Sequence, residues 1–349
     1  MVPLLRLVYS GTWRSDLPRL EIPLEDLPDL LHSLLQSGGA GLFWPRVKHR
    51  AEEYGAAGEI LARTYQQYAD NLVNIESDIA LISSRMADAG IEAVLVKGWA
   101  LSSLYTPPQI RRPGDIDLIV PTNLLGAAKR VVSQAHADGL GTPIDLIADV
   151  HWREKGNCPA DDFRDRLHTR YCAGVRVPVL NDADALRHVC LHIVRHLQAA
   201  ISVTSPLWLC DIGALIEHPE SDIDWARVLN NDDGRARDVK IAIALAREMV
   251  GVDSSKLPPE LQDFHLPVWA VESVLNRWAV PIQSGVHEIQ TRGLFPAMVR
   301  LWPSKLNAAL YCNVSLNRRF YFPYQAWTFL GRIGDQLARK FRSRTLLRG

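Results

Sequence analysis

Charge of one sign, long apolar runs and paired cysteines are all missing from this chain. Lys+Arg and Asp+Glu both number 39, so the formal net charge is zero. A chain without a basic surplus has no global field with which to hold a polynucleotide, so a nucleic acid is disfavoured as partner. No window reaches the 18 or so apolar residues that a membrane span needs, and MVPLLRLVYSGTWRSDLPRL carries no long apolar segment of the leader type. The five cysteines, Cys158, Cys172, Cys190, Cys210 and Cys312, are scattered and form no CxxC. That pattern fits reduced thiols rather than a disulfide frame. Together these absences predict a soluble, cytoplasmic protein. No repeat and no low-complexity linker divides it.

What is present is a globular composition. Apolar residues make up 47% and charged residues 22% of 349, enough for a sizeable core in two or three domains. The informative stretch runs from Val94 to Val120, VLVKGWALSSLYTPPQIRRPGDIDLIV. An apolar strand stops at Lys97-Gly98, a short helix and a Pro/Arg loop follow, and a second strand contains Asp115 and Asp117. Alternation places both aspartates on one face of that strand, with Ile116 and Leu118 on the other. Like charges a few Å apart repel unless a proton or a cation lies between them. Paired hard oxygens of this kind suit magnesium, with water and phosphate completing its shell.

Around that stretch, residues 1–20 read as irregular, and leucines at three- and four-residue steps (Leu27, Leu30, Leu31, Leu34) open a helical region that closes at Gly90. Thr122 can cap a helix over 123–138. Ile144–Trp152 alternates as a third strand, with Asp145, Ile147, Asp149 and His151 on one face. A short strand at Val175–Leu180 follows, then helices to about Leu197, at 206–217, 223–230, 234–250, 268–280 and 325–341. The tail groups Arg339, Lys340, Arg342, Arg344 and Arg348.

The ordered wording VLVKGWAL, RRPGDIDLIV, ADVHWRE, LRHVCLHIVRH, LWLCDIGALI and IDWARVL resembles the bacterial uncharacterised nucleotidyltransferase proteins of the DNA polymerase beta-type nucleotidyltransferase superfamily. The resemblance implies an α+β or α/β fold. A small mixed-sheet core, 76–156, would be flanked by an N-terminal helical segment, 1–75, and a mainly helical C-terminal domain, 157–349. It implies that three carboxylates bind two Mg2+ ions. Asp115 and Asp117 match the first pair, and Asp149, two residues before His151-Trp152, matches the third, with Asp145 on the same strand face as the alternative. It further implies nucleotide contacts at Lys97, Gly98 and Arg111, and at His192 and His196, which match its His-x-x-x-His.

His188, His192 and His196 equally read as buried histidines beneath a site, and Asp211 as a hydrogen-bonded anchor between domains. Two departures stand out. Gly98 is followed by Trp99 where the superfamily has Gly or Ser, which removes a hydroxyl contact to phosphate. Only Leu140–Pro143 separates the helix from the third strand, where relatives carry a hairpin. The expected activity is transfer of a nucleoside monophosphate from an NTP, ATP being the favoured donor, to a hydroxyl or phosphate of a small-molecule or peptide acceptor. A protein- or RNA-modifying enzyme of toxin or regulatory type, or a non-catalytic nucleotide-binding scaffold, is the alternative.

Overall fold

The computed structural model describes residues 2–112, 114–149, 163–198, 205–231, 234–278 and 302–331. Its first element corrects the sequence reading: part of the supposedly irregular opening is a helix, α1 (Val2–Tyr9). Eight residues are too few to hold a helix in water. Buried Arg46 supplies what is missing. Its Nη1 donates to the carbonyls of Leu7 and Val8 at 3.0 Å each, and its Nε donates to that of Pro18 at 3.1 Å. Leu7 and Val8 carry the carbonyls that a helix C-terminus leaves without a partner.

The leucine-rich stretch becomes α2 (Leu27–Ser37), which buries Leu27, Leu30, Leu31 and Leu34. Next come α3 (Ala40–Val47) and the long α4 (Gly55–Asp88). Gly90 ends that run at φ 69°, as its position after the last apolar repeat predicts. The chain then alternates strand and helix: β1 (Val94–Val96), the single turn α5 (Trp99–Ser102), β2 (Ile116–Val120), α6 (Leu125–Ala137) and β3 (Ile144–Ala148). The third strand ends sooner than the expected Trp152. Asp149 follows it, and His151 and Trp152 lie outside the described residues.

A hairpin, β4 (His168–Cys172) and β5 (Val175–Val179), completes a five-stranded sheet in the order β3-β2-β1-β5-β4. Only its second strand was visible in the sequence, because HTRYC shows no apolar alternation. The sheet is mixed: β1–β2 and β4–β5 run antiparallel, β2–β3 and β1–β5 parallel. Among the described residues follow α7 (Asp182–Gln198), α8 (Pro206–Glu217), α9 (Trp225–Val228), α10 (Ala236–Val250), α11 (Pro259–Gln262), α12 (Val268–Trp278) and α13 (Lys305–Tyr311). Asn181 precedes α7, its side-chain oxygen accepting from the Asp184 amide at 2.9 Å. The last expected helix starts at residue 322; its continuation past 331 and the basic tail lie outside the described residues.

The sheet separates two apolar clusters. One face of β2, Ile116, Leu118 and Val120, packs with Ile79 and Ile82 of α4 and Ala128 of α6. On the opposite face, Ile119 joins Val94 and Val96 in a larger cluster. That cluster takes in Leu5 of α1, Leu30 of α2, and the apolar sides of α7, α8 and α10. This is the α+β architecture expected, with helices on both faces of a mixed sheet. Asp117 points to the second face, so whatever it binds meets the N- and C-terminal helices as well as the strands.

Candidate active site

Register builds the acid cluster. In the antiparallel pair Asp117 stands opposite Val96, and in the parallel pair it stands opposite Asp145. Neighbouring strands lie about 4.8 Å apart, so paired residues on one face present their carboxylates side by side. Asp115, two residues earlier on the same face, completes the set: the three carboxylates place ligand oxygens within 4.8 Å of one another.

Asp117 is the buried member, while Asp115 and Asp145 are exposed. Burial, with Asp115 and Asp145 adding their repulsion, pushes the Asp117 carboxyl up from 3.8 to about 6, against the pull of Lys97. The Lys97 ammonium reaches Asp117 Oδ1 at 2.9 Å. Lys97 holds that position with φ 58°, a backbone conformation rare outside glycine, so the turn after β1 is strained where it meets the acids. Gly98 follows at φ 45°. A Cβ there would come within 3.3 Å of the Asp115 carbonyl, so only glycine lets the two loops approach this closely.

The structure sets Asp149 apart from this cluster and pairs Arg111, which lines the cavity over the acids, with another carboxylate. Asp149 lies four residues beyond Asp145, past the end of β3 and on the order of 13 Å away at strand spacing. Its carboxylate accepts from the amide of Thr122 at 3.0 Å and from the Thr122 hydroxyl, and pairs with Arg164 at 3.1 Å. It ties the far end of β3 to the start of α6. Arg111 is buried, and both its Nε and Nη2 donate to Asp211 at 2.7 Å. Tyr105 donates its hydroxyl to the same carboxylate at 2.9 Å. Arg111 therefore has committed to Asp211 the fork that a phosphate would need, and Asp211 is the anchor its place in an apolar helix suggested. The adjacent Arg112 is the exposed arginine of the pair and lines the opening.

A cavity of about 500 Å³ opens over the acids, within the range of small-molecule sites. Asp115, Asp117, Asp145, Lys97, Gly98 and Arg112 line one end, and His192, His196 and Trp208 line the other. Burial first, then the charge of Lys97, lowers His192 to about 2 and His196 to about 4, so both rings are neutral at pH 7.

A model of uncharacterised nucleotidyltransferases matches residues 57–251, more than half of the chain. The chain belongs to that family. Among solved structures it is similar to an antigenic nucleotidyltransferase-like protein from Paracoccidioides brasiliensis, at 16% identity. That match covers 52% of this chain and 91% of the other, with a TM-score of 0.38. A likeness that loose carries no argument about the site. No curated protein matches the chain.

For a nucleotidyltransferase, the three carboxylates are the natural place for a divalent cation. They offer hard oxygen ligands, they repel one another, and an ammonium already stands against the buried one. The helix that follows Gly98 is a weak phosphate device: α5 is four residues long, too short to build a sizeable dipole. Ser33, Gln36 and Ser37 of α2 and Trp278 of α12 also face the cavity. Nothing in the sequence marked the α2 residues, since polar side chains at such steps on an amphipathic helix read as a solvent face. Trp208 lay within the LWLCDIGALI wording without being singled out.

Proposed function

We propose that the protein transfers a nucleoside monophosphate from an NTP to a hydroxyl or phosphate acceptor with release of pyrophosphate. Asp115, Asp117 and Asp145 would hold Mg2+. The observation that carries this reading is the meeting of three carboxylates from two strands, within 4.8 Å, on the floor of a cavity of nucleotide size. Two such ions, when bound, lower the pKa of an attacking hydroxyl and neutralise charge on the phosphates. In this reading Asp145 takes the role the sequence assigned to Asp149. Lys97 and Arg112 hold the triphosphate, Lys97 leaving Asp117 for phosphate oxygens. The Gly98 turn lets the end of the first strand lie close to the Asp115 carbonyl.

A thermal-shift panel of ATP, GTP, CTP and UTP, with and without Mg2+, tests the reading on the wild-type chain and on Asp115→Asn/Asp117→Asn. A nucleotide at a hundred times its Kd stabilises by about 2.7 kcal/mol, which corresponds to a shift of a few degrees for a chain this size. We expect a Mg2+-dependent shift that the double variant loses. A nucleotide shift that survives in the double variant, or pyrophosphate release unchanged by it, overturns the assignment.

A further inference from the structure

The cavity has two unlike ends, one ionic and one aromatic. At the aromatic end the His192 and His196 rings, one helical turn apart on α7, stand with centroids 4.5 Å apart. Each lies 4.6 Å from the ring of Trp208 on α8. All three side chains are half-buried, and their open sides line the same space as the acids. We propose that Trp208, flanked by His192 and His196, is the platform against which the base of the NTP stacks while its triphosphate lies over the acids. The assignment rests on the nucleotidyl-transfer reading and adds to it the group that recognises the base.

Three observations support the placement. The Trp208 indole is a planar, polarisable and partly open ring, with His192 and His196 set at 79° and 50° to it, and base stacking on aromatic side chains is tolerant of base identity because every base has a π-face. The imidazoles are neutral, so they neither repel a base nor form a second phosphate site, and their ring nitrogens suit hydrogen bonds with base edges. Lys97 links the two ends: its ammonium pairs with Asp117, yet its charge also depresses both imidazoles. Ionic and aromatic ends therefore adjoin across one lysine, and a molecule with a polyanionic end and a heteroaromatic end matches that arrangement.

Calorimetric titration of the full chain with ATP and with inorganic tripolyphosphate, both with Mg2+, separates the two ends. Trp208→Leu should weaken ATP by on the order of tenfold or more and leave tripolyphosphate within about twofold, which also shows that the variant is folded. Trp208→Phe should keep most of the ATP affinity. The platform is overturned if Trp208→Leu binds ATP as the wild type does, or loses ATP and tripolyphosphate alike. Wild-type protein that binds ATP no more tightly than tripolyphosphate overturns the platform alone. Wild-type protein that binds neither overturns the nucleotidyl-transfer reading with it.

Discussion

Asp117 shows how much of this site depends on one buried carboxyl. In the folded chain it keeps its proton up to about pH 6, against 3.8 ordinarily. Between those values the unfolded chain has released a proton that the folded chain still holds. The stability this group provides is therefore complete below about pH 4 and lost as pH rises to about 6. Asp117→Asn removes that loss. In the absence of Mg2+, chemical denaturation at pH 7 should find the variant more stable than wild type by on the order of 1–3 kcal/mol, and insensitive to added Mg2+. A variant less stable at pH 7 would mean that the Lys97 pairing outweighs the cost of burial. Asp145 and Asp149 make a second contrast. Asp145→Asn should abolish the Mg2+ response at little cost in stability, since the side chain is exposed. Asp149→Asn should keep the response and lose about 1–3 kcal/mol, because the Thr122 amide and Arg164 lose a charged acceptor. Alternation alone could not separate these two acids, which share a strand face. Pairing sets Asp145, and not Asp149, beside Asp117, and that register is a long-range fact absent from the local pattern.

At the scale of elements, legibility followed periodicity. Helices with a clear apolar stripe and a stop signal, such as the one that ends before Gly90, and the apolar strands β1 and β2 were visible because local residues determine them. The elements that escaped are held from a distance. Helix α1 closes on the guanidinium of Arg46, 38 residues from Val8, and β4 is drawn into the sheet by pairing with β5 rather than by its own polar sequence. The apolar cluster that α1 joins also contains α7, α8 and α10. From that shared core we propose that residues 1–75 do not fold as an independent unit. Arg46→Met keeps the apolar stem and removes the three hydrogen bonds that hold Leu7, Val8 and Pro18. Charged donors of this kind contribute about 1.5–3 kcal/mol each, but burial already pulls the Arg46 pKa down to about 10, so part of that gain is cancelled. We expect a net loss of on the order of 2–4 kcal/mol. If α1 belongs to the common core, urea unfolding stays a single transition with a lower midpoint. An early transition confined to the N-terminal residues, leaving the rest at its wild-type midpoint, would show instead that the segment is separable.

On the scale of the whole molecule, the cavity is the place where distant parts of the chain meet. Its walls come from α2, from the turns around β1, β2 and β3, from α7 and α8, and from Trp278 at the end of α12. The family model spans 57–251, so it covers the acids and the aromatic wall but neither α2 nor Trp278. The chemistry of the site thus lies within the family's common region, and part of its enclosure is built from segments outside it. No described helix is long and apolar enough to cross a membrane, and the apolar sides of α2, α7 and α8 pack into the larger core cluster. A ligand that fills the cavity should then couple its walls, because each wall's opening requires breaking contacts to the same bound molecule. With ATP and Mg2+ present, hydrogen exchange should slow together in α2, in the Lys97–Gly98 turn, in α8 and in the last turn of α12. For a ligand at a hundred times its Kd, exchange through opening events that release it should slow by about a hundredfold. Protection confined to the strands and the Lys97–Gly98 turn, with α2 and α12 exchanging as before, would show that the helical walls enclose the site without touching its ligand. Joint protection that disappears in Asp117→Asn would tie all four walls to the nucleotide held at the acids.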